Sequence, residues 1–414
     1  MMQPKFFARS ALAALALSLP LLLAAQPGGQ SSAPATEPKH ELAGDAACLQ
    51  CHQKESASYA HTAHHLTSQL ATPQTVLGPL QPGKETLTIN GGPGSPAMPL
   101  LRFRMERRKD GIYETAETGW STPLFQHSER MDIITGSGTR GQTYLFWQGD
   151  ALYELPVSYW TDGHRWINSP GFTNGTASFS RPVNPACLEC HATYIRPLSS
   201  NPETNQFDRT SFVPGISCES CHGSGLAHVA WHRQHPEAKQ IPDTTILNPA
   251  HFSRERQLDL CAECHNGIQR TSLAPAFSYT PGHPLAEYFK PLPVPESDHP
   301  DVHGNQVGLL ERSKCFQVSG TMTCSTCHNV HDREQTVATY SARCLTCHQW
   351  QACPTAKRMG HTSVTQCIGC HMPVQPTSVI VSETADTSVH ATMRNHWIKV
   401  YPKAAAVKGT GPGL

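Results

Sequence analysis

Seven copies of one short motif give this chain its chemistry: two cysteines separated by two residues, with a histidine directly after the second. Two thiols beside an imidazole are the groups that attach haem c covalently and bind its iron from one side. The cysteine pairs are Cys48 and Cys51, Cys187 and Cys190, Cys218 and Cys221, Cys261 and Cys264, Cys324 and Cys327, Cys344 and Cys347, and Cys367 and Cys370. The histidines that follow them are His52, His191, His222, His265, His328, His348 and His371. The motifs predict seven covalently bound haem c groups.

Paired cysteines also occur in zinc knuckles, disulfide frameworks and thioredoxin-type redox sites. Zinc needs four ligands per metal and does not require a histidine directly after the second cysteine. A thioredoxin-like site expects a single pair, and disulfide frameworks do not repeat one local pentapeptide. Here every Cys-x-x-Cys is followed at once by histidine, although histidine makes up only 24 of 414 residues. This regularity favours haem.

Two further cysteines, Cys315 and Cys353, lie outside the motifs. In an oxidising compartment they could form a disulfide that clamps the C-terminal motifs together. Free thiols and a role as haem ligands are the other interpretations, and the sequence leaves all three open.

The composition indicates a loop-rich chain. Hydrophobic residues make up 38% and there are 34 prolines and 30 glycines, so porphyrins are expected to fill much of the interior. Lys and Arg together balance Asp and Glu at 32 each, which gives no reason to expect a nucleic-acid or anionic-membrane partner. We expect the partners to be other redox proteins.

The N-terminus has the features of a secretory signal. Lys5 and Arg9 precede an apolar run over residues 11–25 that contains Pro20 and ends in small residues. The run is short for a membrane anchor, which is the alternative interpretation. No later segment is long and apolar enough to span a membrane, so we expect an exported, periplasmic or extracellular protein.

A stretch without cysteines, residues 83–180, carries strand and hairpin signals. Alternating segments flank the pairs Asp110-Gly111, Gly149-Asp150 and Asp162-Gly163, which are turn sequences. We predict a mainly α and irregular multihaem cytochrome c fold with low secondary-structure content and a small antiparallel β insert. The predicted order is signal peptide 1–25, flexible leader 26–45, first haem module 46–82, β-rich insert 83–180, three-haem module 181–275, proline-rich strap 276–320, C-terminal three-haem module 321–400 and frayed tail 401–414.

Local patterns around the motifs resemble the multihaem cytochrome c family that includes cytochrome c-554. They are Tyr59 with Thr62-Ala63-His64, the run from Cys221 to His228, the run from Cys324 to His331, and Asn395-His396-Trp397-Ile398. The resemblance covers residues 46–80 and 181–400 in pieces. It implies that the matching histidines outside the motifs are distal iron ligands. The first choices are His64, His228, His331 and His396, and the second choices are His361, His390, His303 and His283.

The position of His331 limits which iron it can bind. It follows His328 by three residues, which span at most about 11 Å of extended chain or about one helical turn. On a helix the two imidazoles would point to the same side. We therefore predict that His331 binds the iron of a neighbouring haem.

The chain is thus expected to be an electron-transfer protein, with mostly bis-histidine haems, rather than a catalytic oxidoreductase. One alternative is a multihaem reductase that acts on a small nitrogen or sulfur oxyanion at a five-coordinate haem. Another is an electron-conduit subunit of a larger redox assembly, with the β insert as its docking surface.

Overall fold

The computed structural model describes residues 41–90, 99–118, 125–237, 244–267, 270–291, 305–355, 359–383 and 388–401, all within one unit of residues 40–414. The predicted signal peptide, most of the leader and nearly all of the predicted tail lie outside these residues. So do His303 and the side chain of His361. Among the described residues, no helix has the length and apolar character needed to cross a membrane.

The helices are short. They are α1 Asp45–Leu49, α2 Gln53–Tyr59, α3 Pro185–Leu188, α4 Glu219–His222, α5 Leu226–Gln234, α6 Arg254–His265, α7 Gln306–Glu311, α8 Lys314–Val318, α9 Val337–Cys344 and α10 Cys367–His371. Of these, α7 and α8 form within the predicted proline-rich strap. Most of the remaining helices carry or adjoin a haem motif, so helix in this chain mainly serves the motifs.

Residues 55–70 contain no glycine or proline and would be expected to form one helix, but most of this segment is not helical. Helix α2 ends at Tyr59, and the Thr62 hydroxyl then donates to the Tyr59 carbonyl and accepts from the His65 N–H. This side chain competes with the helical backbone bonds and turns the chain.

Fifteen strands are described, and every pairing between them is antiparallel. They are β1 Ser68–Leu70, β2 Thr86–Asn90, β3 Pro99–Arg108, β4 Gly111–Thr118, β5 Phe125–Met131, β6 Ile133–Thr135, β7 Gly141–Gln148, β8 Ala151–Glu154, β9 Val157–Trp160, β10 Arg165–Asn168, β11 Arg181–Pro182, β12 Ala192–Pro197, β13 Phe207–Pro214, β14 Val374–Glu383 and β15 Ser388–Arg394.

The prediction of a mainly α and irregular fold with a small β insert is wrong. Strand accounts for 28% and helix for 26% of the described residues. Strands also form outside residues 83–180, as the hairpins β12–β13 and β14–β15 show. The relation to multihaem cytochromes does not depend on the helical content.

Two sheets pack face to face to form the main apolar core. One has four strands in the order β2-β3-β4-β5, and the other has seven strands built on the order β1-β6-β7-β8-β11 with β9 and β10 attached. Phe103 and Met105 of β3 meet Tyr144 and Phe146 of β7, and all four side chains are fully or almost fully buried. Alternation along each strand sends these side chains to one face.

The three predicted hairpins are confirmed. Arg108 pairs with Gly111 around the first turn, Gln148 with Ala151 around the second, and Trp160 with Arg165 around the third. Gly149 has a φ of 60°, a left-handed conformation that glycine adopts without strain.

The second face of the larger sheet contacts a haem motif. Leu188, between the two cysteines of the second motif, packs with Ile133 and Leu145 of the sheet and with Phe207 of β13. Leu188 and Phe207 have no exposed surface. The β sheets therefore form part of the scaffold of the second motif.

Candidate haem sites

Each motif lies on a helix, on a 3-10 turn or on the turn that follows a helix. In four of them the histidine N–H donates to the carbonyl of the first cysteine: His52 to Cys48, His222 to Cys218, His328 to Cys324 and His348 to Cys344, at 2.8 to 3.0 Å. One helical turn places side chains three and four residues apart on the same side. Both thiols and the imidazole of a motif can thus face the same porphyrin.

Four motif histidines each lie opposite a histidine from another part of the chain. The pairs, with the distance between ring centroids and the angle between ring planes, are His52 and His228 at 6.3 Å and 28°, His222 and His331 at 6.2 Å and 18°, His265 and His64 at 5.9 Å and 82°, and His328 and His396 at 6.2 Å and 24°. These partners are the four first-choice distal histidines.

The spacing of these pairs fits a metal ion held between two imidazoles. Two metal–nitrogen bonds of about 2 Å, plus about 1 Å from each nitrogen to its ring centre, put the centroids about 6 Å apart. Direct contact between two rings brings their centroids closer, as in the edge-to-face pair His228 and His232 at 4.5 Å. The donor set therefore suits six-coordinate haem iron.

Hydrogen bonds to the second ring nitrogen support the same role. Nδ1 of His222 donates to the Leu247 carbonyl at 2.8 Å, Nδ1 of His371 to Lys399 at 3.0 Å, and Nδ1 of His396 to Arg394 at 3.2 Å. A carbonyl can only accept, so the proton must be on Nδ1. That leaves Nε2 as the lone-pair donor, which is the usual arrangement of metal-binding histidines.

Desolvation also disfavours the charged form of three of the paired rings, His64, His265 and His396. Desolvation lowers the pKa of His265 and of His396 to about 4. It also lowers the pKa of His64, which nevertheless has exposed surface, as does His265. Neutral imidazole is the form that coordinates iron.

Among the described residues, no ring pair of this kind is found for His348, His371, His390 or His283. His191 Nδ1 lies 3.1 Å from the Thr67 hydroxyl, and His348 is exposed. His390 Nδ1 donates to the Thr377 carbonyl at 2.9 Å, and His283 lies 3.9 Å from Glu287.

Cysteines from different motifs approach one another. Sγ of Cys48 and of Cys218 lie within 4.8 Å, together with a carboxylate oxygen of Asp45. This cluster is no separate metal site if both cysteines are haem-bonded. The side chains of Cys190 and Cys264 also contact each other, as do those of Cys261 and Cys324. A thioether joins the porphyrin at its edge, so such contacts bring haem edges together.

Cys315 and Cys353 do not form a disulfide in the structure. Cys315 lies near Cys327 and Cys344, whereas Cys353 lies near Cys367.

Acidic residues inside the motifs were missed by the sequence reasoning. Glu219, 5% exposed, accepts from the backbone N–H groups of Ala43, Gly44 and Gly225 at 2.7 to 2.9 Å. It thus joins the residues before α1 to the start of α5, the helices that lead to His52 and carry His228.

A second buried acid, Glu189, pairs with Arg270 at 2.9 Å and accepts from the Phe277 N–H. Nearby, desolvation raises the pKa of Glu263 to about 8. Glutamate between the two cysteines of a motif was the signal that could have identified all three residues.

Comparisons with known proteins point to the same class. A family described as cytochrome c554 and c-prime matches residues 172–223. The C-type polyheme cytochrome OmcC of Geobacter sulfurreducens is 27% identical over 168 residues, which cover 34% of this chain and 20% of the relative. The match thus spans about a fifth of the relative's length.

A solved structure described as outer cell wall cytochrome OcwA has a similar fold. The TM-score is 0.50 at 15% identity, and the match covers 88% of this chain and 81% of that one. Together with the motifs, these similarities support a multihaem c-type cytochrome.

Proposed function

We propose that the protein is an exported cytochrome with seven covalently bound haem c groups, which passes single electrons along closely spaced, mostly bis-histidine sites. The observation that carries this proposal is the set of four imidazole pairs at metal-bridging distance. The apolar run near the N-terminus and the similarity to OcwA, an outer cell wall cytochrome, support export.

The sites interlock in this proposal. His228 follows the third motif but completes the first site, and His331 follows the fifth motif but completes the third. His64 follows the first motif and completes the fourth site. Each ligand loop therefore holds a neighbouring site in position.

The chain's residues supply attachment, ligation and orientation. Bound haem iron supplies one-electron chemistry by changing between its ferric and ferrous states. Imidazole on both sides leaves no open position for a substrate, and carbonyls such as those of Leu247 and Lys399 fix the rings.

The contacts between cysteines suggest the order of the sites. Cys48 and Cys218 join the first site to the third, and Cys261 and Cys324 join the fourth to the fifth. Cys190 and Cys264 join the second to the fourth. In this arrangement the fourth site lies between the second and the fifth, and redox partners would dock near the ends of the array.

Two measurements on the oxidised holoprotein test the proposal. Intact mass should show seven haems, and electron paramagnetic resonance should show low-spin iron with no signal change on adding cyanide. A lower haem count would refute the heptahaem assignment. A high-spin signal that responds to cyanide would instead favour the reductase alternative.

A further inference from the structure

One short stretch of the chain contacts binding residues of two different haem motifs. Residues 394–399, here called the C-terminal strap, place the His396 ring 6.2 Å from that of His328 in the fifth motif. Three residues later, the Lys399 carbonyl accepts from Nδ1 of His371 in the seventh motif at 3.0 Å. A single peptide segment thus supplies a candidate ligand at one site and orients a ligand at another.

A buried serine holds the strap in the middle. Ser313, between α7 and α8, has no exposed surface. Its hydroxyl donates to the His396 carbonyl at 3.1 Å and accepts from the Ile398 N–H at 2.7 Å. The hydroxyl therefore bridges the peptide groups on either side of Trp397. Because hydrogen bonds are directional and these two are shielded from water, they fix the path of the chain between the two sites.

Further contacts hold the strap on both sides of this bridge. Trp397 Nε1 donates to the Arg312 carbonyl at 3.1 Å. The Arg312 guanidinium and the Lys399 ammonium lie over the Trp397 ring, at 3.6 and 3.2 Å from its centroid. Cations above an aromatic face are attracted to it. Arg394 donates to the Met372 carbonyl at 3.0 Å, next to the seventh motif. The strap is thus tied to both sites.

We propose that the strap couples the fifth and seventh haem sites and that Ser313 is the positioning residue for both. This inference rests on the proposed function, because it takes His396 as an iron ligand. Loss of the Ser313 hydroxyl frees the peptide groups of His396 and Ile398, so His396 turns away from His328. The same movement carries the Lys399 carbonyl away from His371.

The test is Ser313→Ala in the full-length holoprotein. The haem count by intact mass stays unchanged, because Ser313 lies outside every attachment motif. In the paramagnetic resonance spectrum one low-spin signal is lost or replaced, and a second low-spin signal shifts. A redox titration followed by the same spectra shows displaced potentials for these two irons. Trp397→Phe, which removes the bond to the Arg312 carbonyl and keeps a smaller aromatic ring beside the two cations, shifts the same two signals by less.

Ser169→Ala is the matched control. Ser169 is also fully buried, and its hydroxyl donates to the Leu155 carbonyl within the β sheets. This variant should keep the wild-type spectrum. If Ser313→Ala and Trp397→Phe change no signal, or only one, the coupling is refuted. A wild-type spectrum dominated by high-spin iron would refute the proposed function itself, before any variant is compared.

Discussion

The carboxylate of Glu219 gives the sharpest test of how one motif supports the ligands of another. Replacing Glu219 with alanine removes the acceptor for the N–H groups of Ala43, Gly44 and Gly225. All three bonds are 2.7 to 2.9 Å long and end on a side chain that is 5% exposed. We therefore expect local opening of the chain around α1 and the start of α5.

The expected size follows from the number of donors. A buried donor left without a partner costs about 1–3 kcal/mol. Water will bond to some of these donors once the site opens, so we expect a total destabilisation of about 4 kcal/mol for the three donors. That corresponds to about a thousandfold faster amide exchange in the segments that hold these groups. Glu219→Gln keeps one acceptor oxygen and should show about half of this free energy.

Hydrogen exchange followed by mass spectrometry measures this directly, on peptides that cover residues 41–52 and 223–230. Because these segments lead to His52 and carry His228, the low-spin signal of one haem should broaden or change as well. Glu55→Ala is the control, since Glu55 is exposed on the neighbouring helix α2. If the amide exchange rates of both segments in Glu219→Ala stay within about twofold of wild type, the hydrogen bonds to Glu219 do not hold these helices in place.

Two further predictions concern single side chains. His331→Ala should leave seven haems attached but remove one ligand from the iron beside His222. This change should appear as a new high-spin signal that cyanide converts to low spin. An altered haem in the fifth motif would contradict the pairing of His331 with His222. Glu114 is buried among apolar side chains, makes no hydrogen bond of normal geometry and has its pKa raised well above the usual value by desolvation. Its folded form keeps the proton, so stability falls as pH rises above about 4.3, where the unfolded chain releases it. Glu114→Leu should therefore raise the free energy of unfolding by about 1–3 kcal/mol at neutral pH and by less near pH 4, as measured by thermal unfolding. A stabilisation that does not increase with pH would contradict this prediction.

The motifs could be predicted from sequence because their chemistry is local. Five consecutive residues determine attachment, and one helical turn such as Cys218 to His222 assembles them without help from distant parts of the chain. The hairpins beside Asp110-Gly111 and at Gly149-Asp150 were predictable for the same reason, although the first turn consists of Lys109 and Asp110, one residue earlier than predicted.

The pairing of the rings depends on contacts between distant segments. Geometry could exclude His331 from its own iron, but no local rule selects His222, which lies 109 positions earlier in the chain, as its partner. The resemblance nominated the distal histidines without matching each one to a motif. These matches become visible only when the tertiary structure brings the loops together.

The extent of the β structure was underestimated because the cysteine count drew attention to the haem motifs. Composition suggested that porphyrins would fill the interior, yet the two sheets form a large apolar core of their own around Phe103 and Tyr144. Strands β12 and β13 lie just after the second motif, where a haem module without sheet was expected.

The contact between Leu188 and the sheets changes how the β structure should be interpreted. A docking insert would be expected to pack on its own and to meet the haem region through a few polar contacts. Here a fully buried side chain from inside the second motif lies between Ile133, Leu145 and Phe207. At about 2–5 kcal/mol for truncating a buried leucine, this packing contributes substantially to placing the second motif. The sheets therefore position a haem site. A docking role would have to use their exposed faces, because the buried face packs against the second motif.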